Sequence, residues 1–284
     1  MNDAIKPRTY YAARKNGSTS AGLSLDDLRE VVYAAFEFYD NSGYFVEAFG
    51  FTCVDAGFEP GYAGTNIDAY LRTTLQCGKL WPLSETYTTL DEDVTFSLIE
   101  FLYDHISKPL QRDFHSWDNC GYHYSDFDRI QGREEFRHRV NLALRRYGQG
   151  WELSQGGEIL SLPPEGMATL LTAKAPTTDL TTAQKLEAAT KKYRQRGSTV
   201  EERADAVRDL ADVLEWLRPE IKDTLLKEDE RELFNIANNF GIRHMNQNQK
   251  MKYDRNVWLS WMFYHYLNTI HAFLHLLRRQ RKSD

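Results

Sequence analysis

Cysteine is scarce in this 284-residue chain. The three present, Cys53, Cys77 and Cys120, are odd in number and form no CxxC pair. That pattern argues against a disulfide framework and against a cysteine-based zinc site. Long apolar runs are also missing: nothing approaches the roughly eighteen uncharged apolar residues that a membrane span needs. The first residues, Met1-Asn-Asp-Ala-Ile-Lys-Pro-Arg, lack the apolar stretch of a signal peptide. A soluble cytoplasmic protein with no membrane partner is expected. No GxxxxGK[ST], GxGxxG or GxSxG string occurs, so neither nucleotide hydrolysis nor serine-hydrolase chemistry is indicated. Internal repeats and low-complexity tracts are absent as well.

What the chain does have is aromatic residues, 13% of the total, each able to bury a large area. Its net charge of −6 is unevenly spread. Residues 180–284 carry 19 Lys and Arg against 15 Asp and Glu, and the rest carries 16 against 26. A mildly basic C-terminal part suits a nucleic-acid partner, and equally suits attraction to the acidic part beside it.

Apolar periodicity is mainly helical. Ser24 opens a helix in which apolar Leu28, Val31, Val32, Ala35, Phe36 and Tyr39 repeat at helical spacing, with Asp26 and Asp27 in its first turn. An apolar stretch follows over 44–54, then a loop over 55–64. Thr65 or Asn66 caps a helix through Leu75, and Asp91 caps another through Ile106. A histidine- and aromatic-rich loop, 115–124, precedes a helix over 132–147 with a basic outer face. Trp151-Glu-Leu and Glu158-Ile-Leu-Ser-Leu flank Ser154-Gln-Gly-Gly, which reads as a short β-hairpin. Pro163-Pro164 opens a short helix to about Ala173. The expected architecture is mainly α. Its parts are an N-terminal helical domain over 1–174 that ends in a β-hairpin and short helix, a linker over 175–182, and a helical bundle over 183–284.

Within that bundle helices are expected over 183–196, from a Thr199 cap through Leu217, from Pro219 to Lys227, over 229–240 and over 254–281. The last is expected to bury Val257, Trp261, Tyr264, Leu267, Ile270, Leu274 and Leu277. Asn238-Asn-Phe-Gly-Ile-Arg-His244 lies where a helix gives way to a polar loop. Arg243 is permanently cationic and matches phosphate geometry, and His244 can exchange a proton near neutral pH. The bland alternative is a polar helix end in which the asparagines cap and Arg243 pairs with a neighbouring acid.

The stretch Leu233-Phe-Asn-Ile-Ala-Asn-Asn-Phe-Gly-Ile-Arg-His, followed by a polar loop and a long aromatic helix, resembles the C-terminal domain of AbiJ-type abortive-infection proteins. Those belong to the HEPN helical superfamily. Phe127-Asp-Arg-Ile through Arg133-Glu-Glu-Phe-Arg, with Tyr147-Gly-Gln-Gly-Trp-Glu-Leu and Gly156-Gly-Glu-Ile, resembles the N-terminal domain paired with it. The resemblance implies a four- or five-helix bundle that dimerises and acts in phage defence. Active members are metal-independent ribonucleases with an Arg, a polar neighbour and a His. It further implies RNA, tRNA included, as partner and no cofactor. Asn238, Asn239 and His244 fall on the motif positions, and Arg243 precedes the His. The departure is Asn238, a neutral amide where the motif has Arg, so Arg243 would supply the cation. The other reading is a non-catalytic module that dimerises or binds a partner protein of a defence or toxin–antitoxin system.

Arg137, Arg145 and Arg146, with Arg278 and Arg279 near the C-terminus, are the cations expected to contact RNA backbone. Arg133 to His138 has the motif's spacing but turns about 140° around a helix, so chance accounts for it. His265, His271 and His275 read as packing or solvent-facing residues. His105, His115 and His123 near Cys120 fit no regular zinc spacing, and no metal site is expected.

Overall fold

The computed structural model describes residue 11 and residues 22–163, 166–222 and 254–280. It divides into two compact units, Met1–Ile159 and Leu160–Asp284. The described residues form ten α-helices and three two-stranded sheets, a mainly α architecture as expected.

In the first unit, α1 (Leu25–Asp40) starts at a capping box. The Asp27 amide donates to Ser24 Oγ at 3.1 Å, and the Ser24 amide donates back to Asp27 Oδ2 at 2.8 Å. One turn of helix, α2 (Val46–Phe49), leads into β1 (Phe51–Cys53) and β2 (Gly57–Glu59). Next come α3 (Ile67–Leu75), capped by Asn66, then α4 (Leu83–Thr86), and α5 (Glu92–His105), capped by Asp91. The strands β3 (Lys108–His115) and β4 (Gly121–Asp128) form an antiparallel ribbon that runs into α6 (Arg129–Leu144). The unit closes with β5 (Trp151–Leu153).

Helices α1, α5 and α6 pack on one another around Phe36, Phe45, Ile99, Leu102, Phe136 and Leu144. Burying such a side chain contributes about 1.5–3 kcal/mol each, so this core is the unit's main source of stability. Gly132 lets α6 run close to the start of β3, since a Cβ there would meet the Lys108 amide at 2.7 Å.

Three expectations are corrected here. The segment expected as a loop over 115–124 belongs to the β3–β4 ribbon, and the loop over 55–64 contains β2. Helix α6 begins at Arg129 rather than at Gly132, because the Asp128 carboxylate accepts from the Gln131 amide at 3.0 Å and fixes the start there.

The division falls within β6 (Ile159–Ser161), the second strand of the expected hairpin, and the second unit continues with α7 (Ala168–Thr172) and α8 (Leu180–Arg194). Two long helices complete it, α9 (Val200–Lys222) and α10 (Arg255–Gln280). Helix α9 packs against both α8 and α10 around Val207, Leu210, Leu214, Phe263, Tyr266 and Ile270. Thr199 and Glu202 form the expected cap of α9, with mutual backbone bonds of 3.1 and 2.7 Å.

The division between units falls before the expected linker over 175–182. Residues from Leu160 onward are tied to the helical unit: the Arg194 guanidinium, 6% exposed, donates twice to the Ser161 carbonyl at 2.9 and 3.1 Å. Leu170, Leu171 and Ala175 also pack against the helical core. Pro219 does not open a separate helix but lies inside α9, near its described end. On α10 the buried stripe is Leu259, Met262, Phe263, Tyr266, Ile270 and Phe273 together with Leu267 and Leu274, whereas Val257 and Trp261 are exposed. This helix is apolar over more than one face, so periodicity alone does not select the buried one.

Candidate functional site

Of the site residues singled out by the sequence, five are among the described residues, on or next to α6 and on α10. Asn238, Asn239, Arg243 and His244, with the helix expected over 229–240, lie outside the described residues. Arg137 and Arg145 lie on and at the end of α6, half-buried and exposed respectively, and Arg146 follows them. Arg278 and Arg279 are exposed in the last turn of α10, where cations oppose the helix dipole. His265, His271 and His275 line a groove of about 950 Å³ with Trp261, Tyr264 and Asn268. Burial lowers the pKa of His265 and of His271, and at His271 the neighbouring His275 adds to the shift.

His105 is a core residue. Its ring stacks on Phe101 with centroids 3.9 Å apart, Nδ1–H donates to the Phe101 carbonyl at 2.7 Å, and Nε2 faces the Tyr70 hydroxyl at 3.0 Å. Burial lowers its pKa, which favours the neutral ring.

One constellation of chemical groups was not expected. Cys53, His115, Cys120 and His123 come together with their ligand-type atoms all within 4.8 Å of one another. Among the described residues it is the only such group of three or more His, Cys, Asp or Glu. The irregular sequence spacing of these residues gave no sign of this grouping.

Each side chain arrives by a local device. Cys53 ends β1, paired with Gly57 across a tight turn in which Gly57 takes φ +77°. Gly50, at φ +81°, lets the hairpin close, since a Cβ there would lie 2.1 Å from the Glu59 carbonyl oxygen. In the longer ribbon His115 pairs with Gly121 and His123 with Asp113. Paired residues share a face, so the two imidazoles are diagonal neighbours on one side, their centroids 5.1 Å apart.

Cys120 is delivered by the ribbon's tip. Asp118, Asn119 and Gly121 all take left-handed conformations, at φ 41°, 57° and 102°. Left-handed backbone costs an ordinary residue about 1–2 kcal/mol, and Asp, Asn and Gly tolerate it best. The resulting curl brings Cys120 Sγ to 3.2 Å from His123 Nε2. Across the cluster Cys53 Sγ lies 3.8 Å from His115 Nδ1. The other nitrogen of that ring, Nε2, lies 3.1 Å from Asp55 Oδ2. Phe51 packs against the His123 ring at 4.7 Å between centroids.

The opposite face of the ribbon is open. Phe114 and Tyr122 are 61% and 45% exposed, and Trp117 at the tip is 67% exposed. The Arg112 guanidinium lies over the Tyr122 ring at 4.4 Å.

Comparison with family models, with curated proteins and with solved structures gave no match to this chain. What the chain can do is accordingly argued from its own residues.

Proposed function

We propose that this protein is a cytoplasmic effector of the abortive-infection type that acts on RNA through its C-terminal helical unit, as a homodimer. The observation that supports this most is the architecture around the motif. Helices α8, α9 and α10 pack as a bundle, and Asn238–His244 falls in the segment that joins α9 to the long α10. That is the sequence setting in which the HEPN-like resemblance places a catalytic or RNA-contacting set. Arg243 would hold a phosphate, and His244 would exchange a proton with the 2′-hydroxyl nucleophile or the departing 5′-oxygen. Among the described residues Arg137 and Arg145 have no acidic partner, which leaves both available to RNA phosphates.

The test is incubation of the purified chain with total cellular RNA and with tRNA in the presence of a chelator. Cleavage that disappears in Arg243→Ala and in His244→Ala supports the reading. Cleavage equal in both variants to that of the unmodified protein removes it. A second reading is favoured by one sequence feature, the neutral Asn238 where the motif's Arg would stand. In that reading the bundle dimerises or binds a partner defence protein without cleaving anything. RNA retention on a filter without cleavage, abolished by Arg137→Glu with Arg145→Glu, would separate RNA binding from catalysis.

A further inference from the structure

We propose that Cys53, His115, Cys120 and His123 bind one Zn²⁺ in a closed, structural site that joins the β1–β2 hairpin to the β3–β4 ribbon. The site is independent of the RNA reading above, which uses none of these residues.

The geometry is that of a tetrahedral shell drawn slightly open. Around zinc, sulfur at about 2.3 Å and nitrogen at about 2.0–2.1 Å place neighbouring ligand atoms roughly 3.3–3.8 Å apart. The observed pairs, 3.2 Å for Cys120 with His123 and 3.8 Å for Cys53 with His115, already lie near that range. The whole set lies within 4.8 Å, so closing the shell needs side-chain movements of about an ångström.

The donor chemistry selects the ion. Two thiolates and two imidazoles are soft-to-borderline donors, which disfavour Ca²⁺ and Mg²⁺ with their demand for oxygen. Two thiolates also cancel the charge of Zn²⁺, so the loaded site is neutral overall. That matters because Cys53 is buried, and an uncompensated charge there would be strongly disfavoured. Four protein donors leave no open position for substrate, which marks the site as structural rather than catalytic.

The outer contacts agree. His115 would ligate through Nδ1, the nitrogen facing Cys53, while Nε2 lies 3.1 Å from Asp55 Oδ2. A carboxylate behind a ligating imidazole fixes its tautomer and raises its basicity. His123 would ligate through Nε2, with Phe51 packed against its ring.

The fold supplies a reason for the ion. Isolated two-stranded hairpins are marginal in water. Here β2 is wholly exposed, and the outer face of the ribbon carries exposed Phe114 and Tyr122. The tip therefore has no apolar core of its own, and a metal joining it to β1 supplies the missing cross-link.

The test starts from full-length protein purified without chelator and analysed for metals. About one zinc per chain is expected, and Cys53→Ser combined with Cys120→Ser should lose it, whereas Cys77→Ser should keep it. Because the double variant could also unfold, a second measurement uses the intact chain. Apo protein titrated with Co²⁺ should develop the visible bands of a tetrahedral ion and a thiolate-to-cobalt band in the near ultraviolet, both abolished by added Zn²⁺. Failure to take up either ion, or a Cys53–Cys120 disulfide in the freshly purified protein, overturns the proposal. Stoichiometric iron in place of zinc overturns the assignment of the metal. Neither result bears on RNA cleavage, so the two proposals fail separately.

Discussion

Asp55 Oδ2 lies 3.1 Å from His115 Nε2, on the side of the imidazole away from Cys53. The carboxylate therefore orients a ring whose other nitrogen faces the cluster. Asp55 is exposed and bears no part of the core, so its removal should leave the fold intact. Asp55→Asn should speed zinc loss to a competing chelator by about 10-fold, the lower end of what such outer partners contribute. A chromogenic zinc indicator reads the rate. Loss at the unmodified rate would show that the pair does nothing for the metal.

Thiol reactivity offers a separate check. Cys77 lies outside the cluster, while Cys53 and Cys120 belong to it. A metal-held thiolate is shielded from alkylation, and Cys77 is slowed for another reason, burial having raised its pKa. Intact-mass analysis after iodoacetamide should show Cys53 and Cys120 protected before chelation, and two further adducts after it. Equal labelling with and without chelator would be the contrary result.

A third expectation concerns pH. Burial holds the folded-state pKa of His105 below its ordinary 6.5. Between those two values the unfolded chain binds more protons than the folded one, so stability rises with pH across that window. It is lost as pH falls through about 6.5 toward the folded value. His265 and His271 are lowered as well and act in the same direction. The contribution of His105 is thus read as a difference: His105→Phe should flatten the decline of Tm between about pH 7 and about pH 5. A parallel decline in both proteins would place the titration elsewhere.

Much of the scaffold is legible in the sequence because it rests on short-range signals. Ser24, Asn66, Asp91, Thr199 and Asp254 each cap the helix that follows them, and each is readable from its neighbours. The metal cluster is different. His115, Cys120 and His123 are close in sequence, but the fourth donor, Cys53, sits 62 positions before His115. What brings it back is a hairpin of three-residue strands, too short for alternation to reveal, closed by Gly50 and Gly57. Regular spacing cannot reveal a cluster whose members come from two separate hairpins. On α10 the expected Leu267, Ile270 and Leu274 are buried, but Trp261 and Phe263 are both aromatic, and only packing against α8 and α9 decides which of the two faces inward.

Asn141 carries the last prediction. This buried amide, on α6, bonds the backbone of β5 at both ends: the Leu153 amide donates to its Oδ1 at 2.6 Å, and its Nδ2 donates to the Leu153 carbonyl at 3.0 Å. It thus stands in for a strand neighbour on the side of β5 that faces the helix. Asn141→Ala leaves a buried N–H and a buried C=O unsatisfied, each costing about 1–3 kcal/mol. Asn141→Leu fills the space yet leaves the same two groups orphaned, so it should be hardly better. Leu142, the next residue, is exposed, and Leu142→Ala should change stability by no more than about 0.5 kcal/mol. Urea denaturation of the three variants measures these differences directly. If Asn141→Leu matched the unmodified protein, packing rather than the paired hydrogen bonds would be what holds β5 to α6.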